Sequence, residues 1–117
     1  MRNFKELKIW QKGFEIAVEM YKLTETFPAT EKFSLTQQAT RSAVSIPSNI
    51  AEGSSRLSEK NYKIFIEISL GSSFELETQL LIAKAVNFGN TDIRNSVLSK
   101  IDEEQKMHMA FSNKLIF

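Results

Sequence analysis

Cysteine is absent from this sequence of 117 residues, which has only four glycines and two prolines. Without thiols there are no disulfides and no thiolate metal ligands, which is compatible with a reducing cytoplasm. Because glycine and proline are scarce, turns must be few and secondary-structure elements long. The composition therefore favours an all-α fold over a β-sandwich with many turns.

Long hydrophobic runs are also missing. No run approaches the roughly 18 residues that a membrane span requires, and the N-terminal residues lack the apolar core of a signal peptide. Hydrophobic residues make up 42% of the chain and charged residues 25%, which is typical of a globular domain. We expect one cytoplasmic domain over residues 1–117.

A basic excess is lacking, since 15 Lys and Arg residues stand against 14 Asp and Glu residues. Proteins dedicated to duplex DNA usually carry a clear positive charge. Nucleic-acid binding would therefore require basic side chains on one face, or a weak basic patch repeated by self-assembly.

Hydrophobic residues recur at spacings of three and four in four segments, as in the stripe Leu7, Trp10, Phe14, Ala17 and Tyr21. No segment shows the alternation of a strand. The pattern predicts helices over residues 4–26, 31–53, 58–86 and 91–115. Their short connections predict an antiparallel, up-down-up-down four-helix bundle.

Residues that typically cap or kink helices add detail to this prediction. Ser58 and Thr91 are predicted N-caps, and Thr30 or Ser34 is expected to cap the second helix. Pro47 is expected to kink the second helix. Small residues along the second helix, together with Gly71 and its serine neighbours in the third, predict close packing of these two helices.

Catalytic and metal-binding signatures are not found. His108 is the one histidine, and Glu104 precedes it by four residues rather than by the three of di-iron bundles. We expect His108 to pack between helices and the acidic run 102–104 to face solvent. No glycine-rich phosphate loop or nucleophile-elbow motif occurs. The sequence predicts no enzyme, no metal and no cofactor; hydrolytic or metal-dependent catalysis is the least favoured hypothesis.

Two groups of polar residues are candidate sites. The first surrounds Pro47, where a buried structural polar network is favoured over a binding or catalytic patch; it comprises Arg41, Ser45, Asn49, Glu52 and Glu75. The second is basic and is a candidate for RNA or DNA phosphates; it comprises Lys5, Lys8, Lys12, Arg56, Lys60 and Lys63. The alternative for the basic group is a solvated rim, since Glu59 and Glu67 interrupt it.

Several motifs occur together along the chain: Phe4-x-x-Leu7-x-x-Trp10-Gln11, Phe27-Pro28-x-x-Glu31, Leu35-Thr36-x-Gln38, Arg41-x-x-x-Ser45-Ile46-Pro47-Ser48-Asn49-Ile50-Ala51-Glu52-Gly53 and Gly71-Ser72-x-x-Glu75-Leu76. This set resembles the bacterial four-helix-bundle proteins called 23S rRNA intervening-sequence proteins. The resemblance extends from Phe4 to about Phe88, and the motif over residues 45–53 is its most specific part.

The resemblance implies a four-helix bundle assembled as a ring of five subunits. Some members are encoded within insertions in 23S rRNA genes, and others resemble a pentameric accessory protein of retroelements that associates with a reverse transcriptase and nucleic acid. Those members tend to be basic, whereas this chain has a net charge of +1.

Apolar residues in excess of one bundle face agree with a ring. Ile9, Ile16 and the tail Leu115-Ile116-Phe117 are expected to be exposed in a monomer and covered by an interface. We therefore expect a non-enzymatic homo-oligomer, a homopentamer by the resemblance, that binds RNA or single-stranded DNA. A protein partner, whose identity the sequence leaves open, is also expected. The alternative is a structural scaffold that binds a protein partner without nucleic acid.

Overall fold

A computed structural model describes residues 2–115, which form four α-helices and two short 3-10 turns. The helices are α1 (Lys8–Thr24), α2 (Leu35–Ser54), α3 (Glu59–Ala85) and α4 (Thr91–Lys114). The 3-10 turns span Phe4–Glu6 and Ala29–Glu31. No strand occurs between residues 2 and 115, so the predicted all-α fold with four helices is confirmed.

Each helix packs against two others. Helix α1 contacts α2 and α4, and α3 contacts the same two helices. The core between them is built from aliphatic side chains of all four helices, including Ile16, Met20, Ile46, Leu76 and Ile101. A single core shared by four helices is the expected way to bury four apolar stripes.

The first two helices begin later than their hydrophobic spacing indicates. Leu7 has an extended backbone (φ −75°, ψ 128°) and separates the turn Phe4–Glu6 from α1. The Asn3 side chain caps this turn by accepting a hydrogen bond from the Lys5 amide. The turn Ala29–Glu31 likewise delays α2 to Leu35. Sequence periodicity does not distinguish a 3-10 turn from the first turn of an α-helix.

Helix caps agree with the prediction at α3 and differ at α2 and α4. The Ser58 hydroxyl accepts from the Asn61 amide at 3.1 Å, as predicted. At α4 the predicted cap Thr91 is wrong, because Asn90 precedes it and accepts from the Ile93 amide at 2.9 Å. Ser34 precedes α2 but makes no capping bond; its hydroxyl donates to Glu31. Asparagine and threonine both favour the N-cap position, and at α4 one residue of register decides between them.

The buried face of α1 is not the predicted one. Ile9 and Ile16 are buried, whereas Phe14 and Tyr21 are 50% and 56% exposed. The expectation that Ile9 and Ile16 are exposed is therefore wrong. The stripe with Phe14 and Tyr21 and the stripe with Ile9 and Ile16 both obey helical spacing. The buried stripe contains Gly13, which has no side chain, so its hydrophobic periodicity is less evident in the sequence. Leu115 is half-buried, while Ile116 and Phe117 lie outside the described residues.

Close packing of α2 and α3 depends on Gly53 rather than on Gly71. A Cβ atom at Gly53 would lie 2.7 Å from Cβ of Phe65 and 3.1 Å from Cδ1 of Tyr62. Gly71 is exposed, and a Cβ atom there would meet no atom within 4 Å. The prediction that Gly71 mediates close packing is wrong. Gly53, expected to end the helix, instead lies within its last turn.

The two glycines give a matched test of this packing. We expect Gly53→Ala to lower the free energy of unfolding by about 1–3 kcal/mol, because the methyl group overlaps the α3 side chains. Gly71→Ala should raise it by up to about 1 kcal/mol, since alanine is the better helix former. Urea denaturation of both variants at one protein concentration measures the difference. Equal effects of the two substitutions would contradict the close approach at Gly53.

Candidate functional site

A polar layer lies in the interior of the bundle. Ser69 of α3 and Glu104 and His108 of α4 are each 0% exposed. The spacing of Val97, Ile101, Glu104 and His108 places the two titratable residues on the buried stripe of α4. Asp102 and Glu103 face solvent, as expected for the acidic run, but Glu104 does not.

His108 is held at both ring nitrogens. Nδ1 lies 2.8 Å from the Glu104 carbonyl oxygen, and Nε2 lies 2.7 Å from the Ser69 hydroxyl. A carbonyl oxygen only accepts, so Nδ1 carries a hydrogen and donates it. Burial lowers the pKa of His108, which favours the neutral ring, and Nε2 of that tautomer accepts from Ser69.

The Ser69 hydroxyl links this histidine to α2. Its oxygen also lies 2.8 Å from the carbonyl oxygen of Ile46, the residue before Pro47. Nε2 of the neutral ring and the Ile46 carbonyl oxygen are both acceptors, so the single Ser69 hydroxyl hydrogen is shared between them. Helices α2, α3 and α4 therefore meet at one side chain.

Glu104 completes the layer as a buried carboxyl group. Neither of its side-chain oxygens has a hydrogen-bond partner among residues 2–115. Burial raises the pKa of Glu104 to about 8, an effect that the positive charge of Lys12 partly offsets. The group is therefore mostly protonated and neutral at pH 7. Gly13 makes room for it, because a Cβ atom there would lie 2.9 Å from Oε2.

Serine, histidine and glutamate in one cluster resemble a hydrolytic triad, but the geometry does not support one. Nδ1 of His108 lies 3.9 Å from Oε2 of Glu104, beyond hydrogen-bond distance. All three side chains are enclosed, so a substrate has no access to the serine. Among residues 2–115 no three His, Cys, Asp or Glu side chains are placed to hold a metal ion.

The residues predicted to form a polar network around Pro47 form three separate sets of contacts. Arg41 pairs with Glu75 at 3.0 Å. The Asn49 amide donates to the Ser45 hydroxyl and carbonyl oxygens, and that hydroxyl also contacts Ser72. Glu52 pairs with Arg56 at 2.8 Å.

These contacts lie nearer the surface than the network was expected to be. The Arg41 and Glu75 side chains are 63% and 46% exposed, and that of Glu52 is 54% exposed. The expectation of buried charges is wrong, because Glu75 and Glu52 pair with arginines at the surface of the bundle. Ser69, Glu104 and His108 form the buried polar layer instead.

The basic candidates divide between two places. Lys8 and Lys12 line grooves beside Met107 of α4, and Lys12 pairs with Glu103 at 3.3 Å and Glu15 at 3.8 Å. Arg56 lies in the connection between α2 and α3, and Lys60 and Lys63 follow in the first turns of α3. Lys5 lies in the N-terminal turn, next to Phe4.

Arg2 was not among the predicted residues, yet it joins the second group. Its guanidinium donates to the carbonyl oxygens of Ser54 and Arg56 and lies 4.7 Å from the centre of the Tyr62 ring. We call the set Arg2, Lys5, Arg56, Lys60 and Lys63 the basic end. Terminal residues carry little periodic signal, so sequence reasoning had no basis for placing Arg2 there.

Comparison with known families shows which family the chain belongs to. The sequence profile described as the 23S rRNA-intervening sequence protein matches residues 5–110. The chain belongs to this family. The match includes all of α1, α2 and α3 and most of α4, and it confirms the resemblance carried by the motifs.

A solved structure shares the fold of this intervening-sequence family member. It is the crystal structure of a protein of unknown function from the S23 ribosomal protein family of Bacteroides thetaiotaomicron. The two chains are 22% identical with a TM-score of 0.79, over 89% of this chain and 97% of the other. A comparison with curated proteins gives no match. None of the helices between residues 2 and 115 is long and apolar enough to span a membrane.

The raised pKa of Glu104 should make the free energy of unfolding depend on pH. Its folded-state pKa of about 8 exceeds the ordinary value of 4.5, so its contribution to stability is full below pH 4.5. That contribution is lost as the pH rises towards 8, at up to about 1.4 kcal/mol per pH unit. We expect Glu104→Gln to remove this fall, so that the variant gains stability relative to the native chain between these pH values.

Denaturant unfolding at several pH values measures this effect, with Asp102→Asn as the control. Asp102 is exposed and pairs with Lys106 rather than with Lys12, so its substitution should not remove the fall. The lowered pKa of His108 reduces the stability of the fold as the pH falls below 6.5, the ordinary pKa of histidine. Because His108 is present in every variant, this effect cancels in the comparison. Parallel curves for Glu104→Gln and the native chain would contradict a neutral buried carboxyl.

Proposed function

We propose that this family member is a non-enzymatic, cytoplasmic, homo-oligomeric binding protein whose partner is RNA or single-stranded DNA. In this proposal its helices form an antiparallel up-down-up-down bundle, and five bundles close into a ring. The observation that carries the proposal is that exposed apolar surfaces occur together with a basic end. The apolar groove and the cavity at the basic end adjoin each other, since Ala51 lines both. Both lie outside a core whose polar groups are enclosed.

An apolar groove between α1 and α2 supports self-assembly. Phe14, Val18, Tyr21 and Val44 line it and are 39% to 56% exposed. The groove encloses about 370 Å³, and Trp10 and Pro47 extend its apolar wall. A surface of this kind is typical of an interface.

Exposed isoleucines form an interrupted stripe on one face of α3, where the exposed Glu75 lies between Ile68 and Ile82. Ile64, Ile68 and Ile82 are 44% to 50% exposed and share one face by their spacing. Phe74 and Leu81 flank this stripe. Because α3 does not contact α1, the stripe and the groove are different surfaces. Contact between two different surfaces of identical chains is heterologous and closes into a ring when the rotation allows it.

Nucleic-acid binding is supported by the basic end. Lys60 is exposed and has no ion-pair partner among residues 2–115. Arg2, Lys5 and Arg56 extend the positive charge across the N-terminal turn and the α2–α3 connection. With a net charge of +1, one chain attracts phosphates weakly, and a ring repeats the patch.

The second candidate function is a scaffold that binds a protein partner without nucleic acid. The groove between α1 and α2 favours it, because its lining contains no charged residue. In this case a foreign helix, rather than a second copy, would occupy the groove.

Light scattering tests the assembly. We expect the native chain to have five times its monomer mass of 13.4 kDa. Val18→Asp places a charge in the groove and should release monomers, because a carboxylate is not tolerated in an apolar interface. Met109→Asp is the control, since Met109 is 51% exposed on α4, away from the groove. A monomeric native chain at all concentrations would rule out the ring.

Fluorescence anisotropy with a labelled single-stranded oligonucleotide tests nucleic-acid binding. Affinity should fall as salt rises, because bound phosphates release counterions. Lys60→Gln should weaken binding and lower the slope of log affinity against log salt by about one. Lys106→Gln is the control, since Lys106 pairs with Asp102 on α4. No binding of the native chain at low salt would leave the scaffold as the better account.

A further inference from the structure

A cavity of about 620 Å³ lies at the basic end, where the N-terminal segment crosses the α2–α3 connection. It is larger than the apolar groove and falls within the volume range of small-molecule sites. Its lining combines two arginines with apolar side chains, namely Arg2, Phe4, Ala51, Arg56 and Leu57.

Both guanidinium groups are held in place by the protein. Arg56 lies 4.6 Å above the centre of the Phe65 ring and pairs with Glu52 at 2.8 Å. Arg2 lies over Tyr62 and donates through one nitrogen to two backbone carbonyl oxygens. Stacking on an aromatic ring restricts a guanidinium plane, so less entropy is lost when it binds a ligand.

The apolar part of the lining is open to a ligand. Leu57 is 100% exposed and therefore makes no packing contact that would explain its position in the connection. Phe4 is half-buried and packs edge-on against Trp10, with ring centres 5.3 Å apart. The Phe4 ring and the two guanidinium groups are flat, and with the apolar Leu57 beside them they match a planar heterocycle that carries a phosphate group.

We infer that this cavity accepts one unstacked nucleobase of a single strand, with Leu57, Phe4 and the Arg56 guanidinium against the base and Arg2 near its phosphate. The inference rests on the proposed function and locates the contact that distinguishes bases from bare phosphates. Base stacking tolerates any sequence, because every base has a π-face. The cavity therefore predicts binding of single strands without strong sequence preference.

Two labelled probes of equal charge test the inference: a short oligothymidylate and the same sugar–phosphate backbone without bases. The native chain should bind the oligothymidylate at least about fivefold more tightly, from the stacking of one base. Leu57→Ser should remove most of this difference and leave binding of the abasic probe unchanged. Because Leu57 is fully exposed, this substitution is not expected to disturb the fold, which thermal unfolding verifies.

Arginine-to-lysine substitutions separate stacking from charge. Arg56→Lys keeps the positive charge but loses the planar group, and it should weaken oligothymidylate binding several-fold more than abasic binding. Arg41→Lys is the matched control, because Arg41 also pairs with a glutamate but lies 13 residues before Ser54, the last residue of α2, which is roughly 20 Å along the helix. It should change neither affinity.

The outcomes distinguish this inference from the proposed function. If the native chain binds neither probe, both fail. If it binds both probes equally, or if Leu57→Ser and Arg56→Lys leave the preference intact, only the base site is overturned. Tight binding of free thymidine monophosphate with the same dependence on Leu57 would support the base site and identify a free nucleotide as its source. Binding of polyglutamate in place of the oligothymidylate would overturn it.

Discussion

A buried polar layer lies where the four helices meet. Ser69 joins the backbone of α2 to His108 of α4, and the Glu104 carboxyl fills the space that Gly13 leaves on α1. Leaving a buried polar group without its partner is costly, so sliding α2, α3 or α4 would break the Ser69 contacts without replacement. Aliphatic contacts in the surrounding core are not directional, so these hydrogen bonds favour one register of the three helices.

The polar layer is enclosed in the core, so the groups of this protein that face solvent lie elsewhere. His108 and Ser69 are both buried and are within hydrogen-bond distance of each other. What remains outside is an apolar groove, an apolar stripe on α3 and a basic end with a cavity. Exposed surfaces of this kind are what the proposed function of this intervening-sequence family member requires.

Sequence reasoning predicted the helices and the family because helical spacing and motifs are local properties. It chose the wrong face of α1 because Phe14 and Tyr21 repeat as regularly as Ile9 and Ile16. It missed Glu104 because two acidic neighbours made the run look solvated, although the spacing from Val97 and Ile101 places Glu104 on the buried stripe. The cavity at the basic end joins residues 2–4 to residues 51–57, and no local pattern reports such a contact.

Chemical-shift mapping of the labelled protein with a single-stranded oligonucleotide tests the account most directly, because it reports on the interior and the surface together. The account predicts that shifts concentrate at Arg2, Phe4 and residues 54–60, while the amides of Ser69, Glu104 and His108 stay unchanged. Shifts centred on the buried layer, with none at the basic end, would contradict the separation of a structural core from a binding surface.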